Sequence, residues 1–163
     1  MEKHSTRGQV AVRWQLGTAP YEYRRYDASG SLTVRLPKGR YFLEAQLVQD
    51  GHPMAVIAEP GLDLAKDVSL RLSGHDARPV GVTVDRSGLR TAETFVELSR
   101  KMAWGTLDSA VRTDFADVVV RPSTTTAPAE FRYSVGGRFS GESLLYNVRG
   151  TSTARCPRIP LSV

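Results

Sequence analysis

Two runs of alternating apolar and polar residues meet at a Pro-Lys-Gly break between Ser31 and Gln49, and no other stretch ties the chain to extended structure so tightly. Leu32, Val34 and Leu36 fall on one face of the first run and Thr33 and Arg35 on the other, the period of two that a half-buried strand requires. Tyr41, Leu43, Ala45 and Leu47 repeat the pattern on the return run, with Phe42, Glu44 and Gln46 facing away. Pro37 presets φ for the second position of a tight turn, and Gly39 accepts the positive φ that a β-carbon resists. The stretch is therefore expected to form a β-hairpin whose turn sets its register.

The same alternation runs through the rest of the first half. Val10, Val12, Trp14 and Leu16 alternate with polar residues and stop at Gly17-Thr18-Ala19-Pro20, and Tyr21 and Tyr23 alternate with Glu22 and Arg24 before the turn cluster Asp27-Ala28-Ser29-Gly30. Asp50-Gly51 is a hairpin signal. Met54 to Ile57 is a short apolar strand stopped by Glu59-Pro60-Gly61, Asp67 to Ser73 turns Val68, Leu70 and Leu72 inward, and Pro79 to Val84 aligns Val80, Val82 and Val84. About seven short strands at this spacing are the signature of a β-sandwich. After the polar stretch Arg86 to Arg90, residues Thr91 to Met102 fit two templates, an amphipathic helix with Phe95, Leu98 and Met102 on one side, or a strand with Phe95, Glu97 and Ser99 opposed to Val96, Leu98 and Arg100. Strands are expected at Asp117 to Arg121, at Phe131 to Val135 up to a break at Gly136-Gly137, and at Leu144 to Val148.

These patterns predict an all-β, antiparallel sandwich architecture in two small modules, residues 9–85 and 90–149, side by side or sharing one extended core. Residues 1–8 lack the apolar centre of a signal peptide and are expected to form a frayed arm, and residues 150–163 a mobile tail. No apolar run approaches the roughly 20 residues of a membrane helix. Cys156 is the only cysteine, which excludes an internal disulfide and a zinc site built on several thiolates.

The order T-V-R-L-P-K-G-R-Y, then D-V-S-L-R-L-S-G-H-D-A-R-P-V-G-V-T-V, then F-A-D-V-V-V-R-P before A-E-F-R-Y-S-V-G-G-R-F-S, resembles the non-catalytic region downstream of the protease domain in secreted subtilisin-like serine peptidases of actinobacteria, across about residues 10–148. The first half also resembles prealbumin-like and carboxypeptidase-regulatory-like sandwiches, in which a Leu-Pro-x-Gly-x-Tyr turn is common. The resemblance implies that residues 91–104 are strand, that the parent protein is secreted, and that the chain is an accessory domain supporting a neighbouring domain or docking a protein or polysaccharide.

No catalytic residue is assigned. Gly150-Thr151-Ser152-Thr153-Ala154 is similar to the sequence around a subtilisin-like nucleophile, but such a serine needs a histidine base and an orienting aspartate, and His4, His52 and His75 fall in an arm and two turns. His75-Asp76 reads as a surface turn, and Asp63 and Asp67 lack the spacing of a calcium loop, so neither metal nor cofactor is expected. The candidate binding residues are Arg100, Lys101 and Trp104, two cations beside an indole, with Tyr21 and Tyr23 as aromatics able to stack on sugars or bases. A formal charge of +5, from 22 basic against 17 acidic residues, keeps a polyanion or nucleic-acid module as the alternative, one that requires arginines gathered on a single face.

Overall fold

A computed structural model of the protein describes residues 9–16, 22–26, 33–49, 51–113, 118–125, 129–153 and 160–162, with the backbone alone for 9–16, 22–26, 152–153 and 160–162. The strands are β1 (Gln9–Leu16), β2 (Glu22–Tyr26), β3 (Gly39–Val48), β4 (Met54–Leu64), β5 (Arg78–Thr83), β6 (Arg90–Met102), β7 (Gly105–Thr113), β8 (Val118–Arg121), β9 (Phe131–Ser140), β10 (Leu145–Thr153) and β11 (Pro160–Ser162). There is no helix among the described residues, so 91–102 is strand. The arm, Tyr21 and Cys156 lie outside the described residues.

The strands form two sheets, a seven-stranded one in the order β11-β5-β8-β4-β3-β1-β2 and a four-stranded one in the order β10-β9-β6-β7. Pairing is antiparallel except at two joins, where β8 lies parallel to β4 and β11 parallel to β5. The parallel joins arise because late segments of the chain return to the first sheet. β8 slots between β4 and β5, Val118 beside Met54 and Val80, and closes a gap that the first half leaves open.

The two sheets pack face to face around one apolar cluster. Phe42, Val56, Ala58, Val80, Val82, Val118 and Val120 come from the larger sheet, and Val96, Leu98, Leu107, Val111, Phe131, Tyr133, Val135 and Phe139 from the smaller. Residues 9–85 and 90–149 thus share this core rather than closing two. Phe42 of β3 meets Phe131 of β9 across it with ring centroids 6.0 Å apart, and Phe131 meets the Tyr133 ring edge-on at 4.8 Å. Burying aromatic rings of this size is the largest single contribution a side chain makes to such a core.

On β3 the five residues Tyr41 to Ala45 are all buried, so this strand has no solvent face. Phe42 points into the sandwich, whereas Tyr41, Leu43 and Ala45 join Ile57 and Leu62 in a second cluster on the other side of the sheet. Val34, Leu36 and Leu72 cover that second cluster. They lie on residues 33–38 and 65–77, which run as a third layer without strand pairing.

Several expectations change here. The hairpin of 31–49 does not form: β3 pairs with β1 and β4, and 33–37 is not strand, although Val34 and Leu36 do face inward. Its face of Phe42 and Glu44, read as turned away, is the face of the sandwich core. The segment 67–73 is not strand either; Leu72 is half-buried while Val68 and Leu70 are exposed. β9 continues through Gly136-Gly137, and β10 reaches Thr153, past the expected start of a mobile tail.

β4 also runs through Glu59-Pro60-Gly61 rather than ending there. It passes the obstacle as a bulge: Tyr41 sits opposite Leu62 but Leu43 opposite Glu59, one extra residue on β4. Proline has no N–H for the ladder, so carbonyls at the bulge lose strand partners. Arg100, reaching across from β6, donates Nη1 to the Pro60 carbonyl oxygen and, at 3.3 Å, to that of Tyr41. Burial pulls the Arg100 pKa down, with Glu130 opposing that and Arg40 adding to it. Removing the guanidinium in Arg100→Ala takes the donor from the buried Pro60 carbonyl, and a loss of about 1–3 kcal/mol in unfolding free energy by denaturant titration is expected.

Candidate functional site

Of the residues singled out from the sequence, Arg100 and Lys101 are turned to opposite faces of their strand. Arg100 is 8% exposed and turned into the sandwich, whereas Lys101, the next residue, is exposed on the opposite face of β6. Trp104 sits in the turn between β6 and β7, half-buried against the main core. Tyr23 lies on β2, opposite Trp14 of β1, with only its backbone described. The contact patch expected at 100–104 is therefore divided by the strand period that makes β6. His75 and Asp76 lie exposed in a turn closed by Ala77 N–H to the Gly74 carbonyl at 3.0 Å. Among the described residues no group of three His, Cys, Asp or Glu side chains comes together to hold a metal, and no helix is long and apolar enough to cross a membrane.

What the fold does assemble is the outer face of the four-stranded sheet. Strand register lays its residues out in rows. One row runs Arg149, Gly136, Phe95, Arg112 across β10, β9, β6 and β7. The row on one side runs Asn147, Arg138, Glu93, and the row on the other Thr151, Ser134, Glu97, Ala110. Each glutamate is thereby set among arginines. Glu93 lies 3.4 Å from both Arg112 and Arg138, while Glu97 pairs with Arg149 and lies 4.0 Å from Arg112. The glutamates are about one-fifth exposed and the arginines about half, so the carboxylates act as inner props and the guanidinium groups stand outermost. Exposed pairs of this kind contribute little to stability, about 0–1 kcal/mol each; their effect is to hold long side chains in place.

Phe95 forms the floor. Gly136 lies directly across from it, and a β-carbon there would collide with the ring and with the Val148 carbonyl oxygen. The missing side chain lets the ring lie over the strand, and the Arg112 guanidinium sits 5.8 Å from its centroid. Around it Glu93, Glu97, Arg112, Arg138, Asn147 and Arg149 rim an open groove of about 250 Å3. Chemically the groove offers guanidinium donors, carboxylate and amide acceptors and an aromatic surface. The Gly136-Gly137 pair was the only trace of it in the sequence, and it reads there as a break. The rows join residues up to 54 positions apart, as Phe95 and Arg149 are, which no local pattern reveals.

A second polar cluster lies inside the protein, on the side of the larger sheet away from the sandwich core. The Glu59 carboxylate, on a fully buried residue, accepts hydrogen bonds from Arg121 Nη2, from Ser123 Oγ (2.8 Å), from Thr124 Oγ1 and N–H (both 2.9 Å) and from Thr125 N–H (3.0 Å). Arg121 Nη1 in turn donates to the Arg71 carbonyl at 3.0 Å, tying the third layer to β8. With five donors on its two oxygens, Glu59 has no lone pair directed at a ligand. This is a structural knot. Glu44, also buried, accepts from Gln46 Nε2 at 3.1 Å.

Burial raises the Glu59 pKa, but the hydrogen bonds from Ser123, Thr125 and Thr124 outweigh it and leave the value below the ordinary 4.5. A depressed carboxyl stabilises the fold in full above its unfolded-state pKa and loses that contribution as pH falls through the folded-state value. Glu59→Gln, which leaves Arg121 buried without its counter-charge, should lower stability by about 3–5 kcal/mol at neutral pH. The gap between the native protein and the variant should narrow only below the ordinary carboxyl range, in denaturant titrations repeated across pH. On the outer face, Gly136→Ala forces the ring and strand apart, and a loss of about 1–3 kcal/mol is expected in the same measurement.

No family model, curated protein or solved structure matches this chain in sequence or fold comparisons.

Proposed function

We propose that this protein is a non-catalytic accessory domain of a secreted bacterial protein, of the kind that lies downstream of the catalytic domain in subtilisin-like peptidases, and that it docks a polysaccharide on the outer face of its four-stranded sheet. The observation that carries the docking reading is the groove over Phe95. An apolar ring packed against Gly136 and bordered by donors and acceptors suits a ligand with a C–H face and a hydroxyl rim, which is the chemistry of a sugar ring. The location downstream of a protease rests on the sequence resemblance alone.

A polyanion, nucleic acid included, is the second reading, favoured by Arg112, Arg132, Arg138 and Arg149 sharing that face. Against it, Glu93, Glu97 and Asp108 occupy the same face, and Arg35, Arg40, Arg71, Arg78 and Arg86 are exposed elsewhere.

Affinity electrophoresis and calorimetry with soluble neutral and acidic polysaccharides test the docking reading. At least one glycan should bind, and Arg138→Ala and Asn147→Ala should each weaken it about tenfold or more without moving the thermal midpoint. Binding only to single-stranded or duplex DNA, lost steeply with salt, would move the assignment to the second reading. Glycan binding that ignores both substitutions would remove the groove from the account.

A further inference from the structure

The edge strand β7 carries a self-complementary charge pattern, and from it we propose that two copies of this protein associate edge to edge through β7, antiparallel, about a two-fold axis at Ala110. β7 ends the four-stranded sheet, pairing with β6 on one side and with no strand among the described residues on the other. Nine residues of strand with an open row of N–H and C=O groups are a template for another strand.

The sequence from Asp108 to Arg112, D-S-A-V-R, sets the register. In an antiparallel pair centred on Ala110, Asp108 of each copy falls opposite Arg112 of the other, and both residues lie on the outer face because they share the strand period with Ala110. Two opposite-charge cross-strand pairs result, related by the axis, while the exposed methyl of Ala110 leaves room at the axis itself. On the inner face the same register sets Ser109 against Val111 and Leu107 against Thr113, with no charged residue among them.

Asp108 fits this use. It is exposed and forms no ion pair with any described residue of its own copy. Arg112 is a little over half exposed; its Nη1 donates to Glu93 and its Nη2 lies 4.0 Å from Glu97, leaving the rest of the fork for a second copy's aspartate. The other edge of this sheet lacks the pattern: β10 places Arg149 on the outer face with no acidic residue in the strand to answer it. A slip of one residue about Ala110 would set Asp108 against the wrong face, so charge and burial specify a single register.

Such a pair is isologous and closed, and it joins the four-stranded sheets of both copies into one continuous surface. Arg112 lines the groove, so the two grooves come to lie on the same face of that surface, flanking the axis.

Sedimentation equilibrium of the full chain, over a concentration series reaching the millimolar range, should show a reversible monomer–dimer equilibrium. Asp108→Arg sets like charges opposite one another in both pairs and should raise the dissociation constant by about tenfold or more. Ala110→Arg, which crowds the axis without touching the ion pairs, should do the same. A wild-type protein monomeric throughout, or a dimer indifferent to Asp108→Arg and Ala110→Arg in variants folded by their circular dichroism, would each overturn the proposal.

Discussion

Tyr41 to Ala45 of β3 and Ala55 to Pro60 of β4 have no wet side, and most of what is unusual in this structure follows from that. The sandwich core takes one face of this stretch and the third layer of extended chain takes the other, so a polar group there is cut off from water and needs a partner within the protein. At the Pro60 bulge the partner is Arg100 of the opposite sheet, and at Glu59 it is Arg121 together with the loop at 123–125. Both solutions recruit a residue from the second half of the chain to complete the first half. β4 is therefore unfinished without side chains that lie 40 and 62 positions further along the chain.

The smaller sheet is built on the opposite principle. Its inner face is apolar and its outer face carries no further layer, so β6 alternates between buried and less buried residues, and outer positions such as Glu93, Glu97 and Arg138 are released for chemistry that the core does not need. The charged rows over Phe95 belong to that released face. Their order comes from pairing register: a one-residue slip between β6 and β9 would send Phe95 into the core and scatter the glutamates from their arginines. The fold thus keeps its polar groups in two separate regimes, a dry knot that fixes the third layer and a wet lattice open to ligand.

How much of this is legible in the sequence depends on which property alternation reports. It reports coverage, so Val34, Leu36, Tyr41, Val80, Val82, Val96 and Leu98 are all placed on covered faces as the period requires. It is silent about backbone partners, so the same pattern at 32–36 and 67–73 suggests strands where the chain runs unpaired over the second cluster. It also fails where both faces are covered, as at Phe42 and Glu44, because the face with fewer apolar residues looks solvated. Arg100 is the instructive case. Its period places it with Val96 and Leu98, and only its charge argues for the surface; the bulge carbonyls, invisible in sequence, are what draw it inward. β7 escaped the sequence reading because Gly105 to Thr113 interleaves small and polar residues with only two strong apolar ones, Leu107 and Val111.

The claim on which the rest stands is that residues from both halves of the chain close a single core between two sheets. Equilibrium unfolding in urea, followed in parallel by far-ultraviolet circular dichroism and by tryptophan fluorescence, tests it directly. One cooperative transition with coincident midpoints for both probes is the outcome of a shared core. Two separated transitions, with one half of the chain unfolding while the other stays folded, would contradict it.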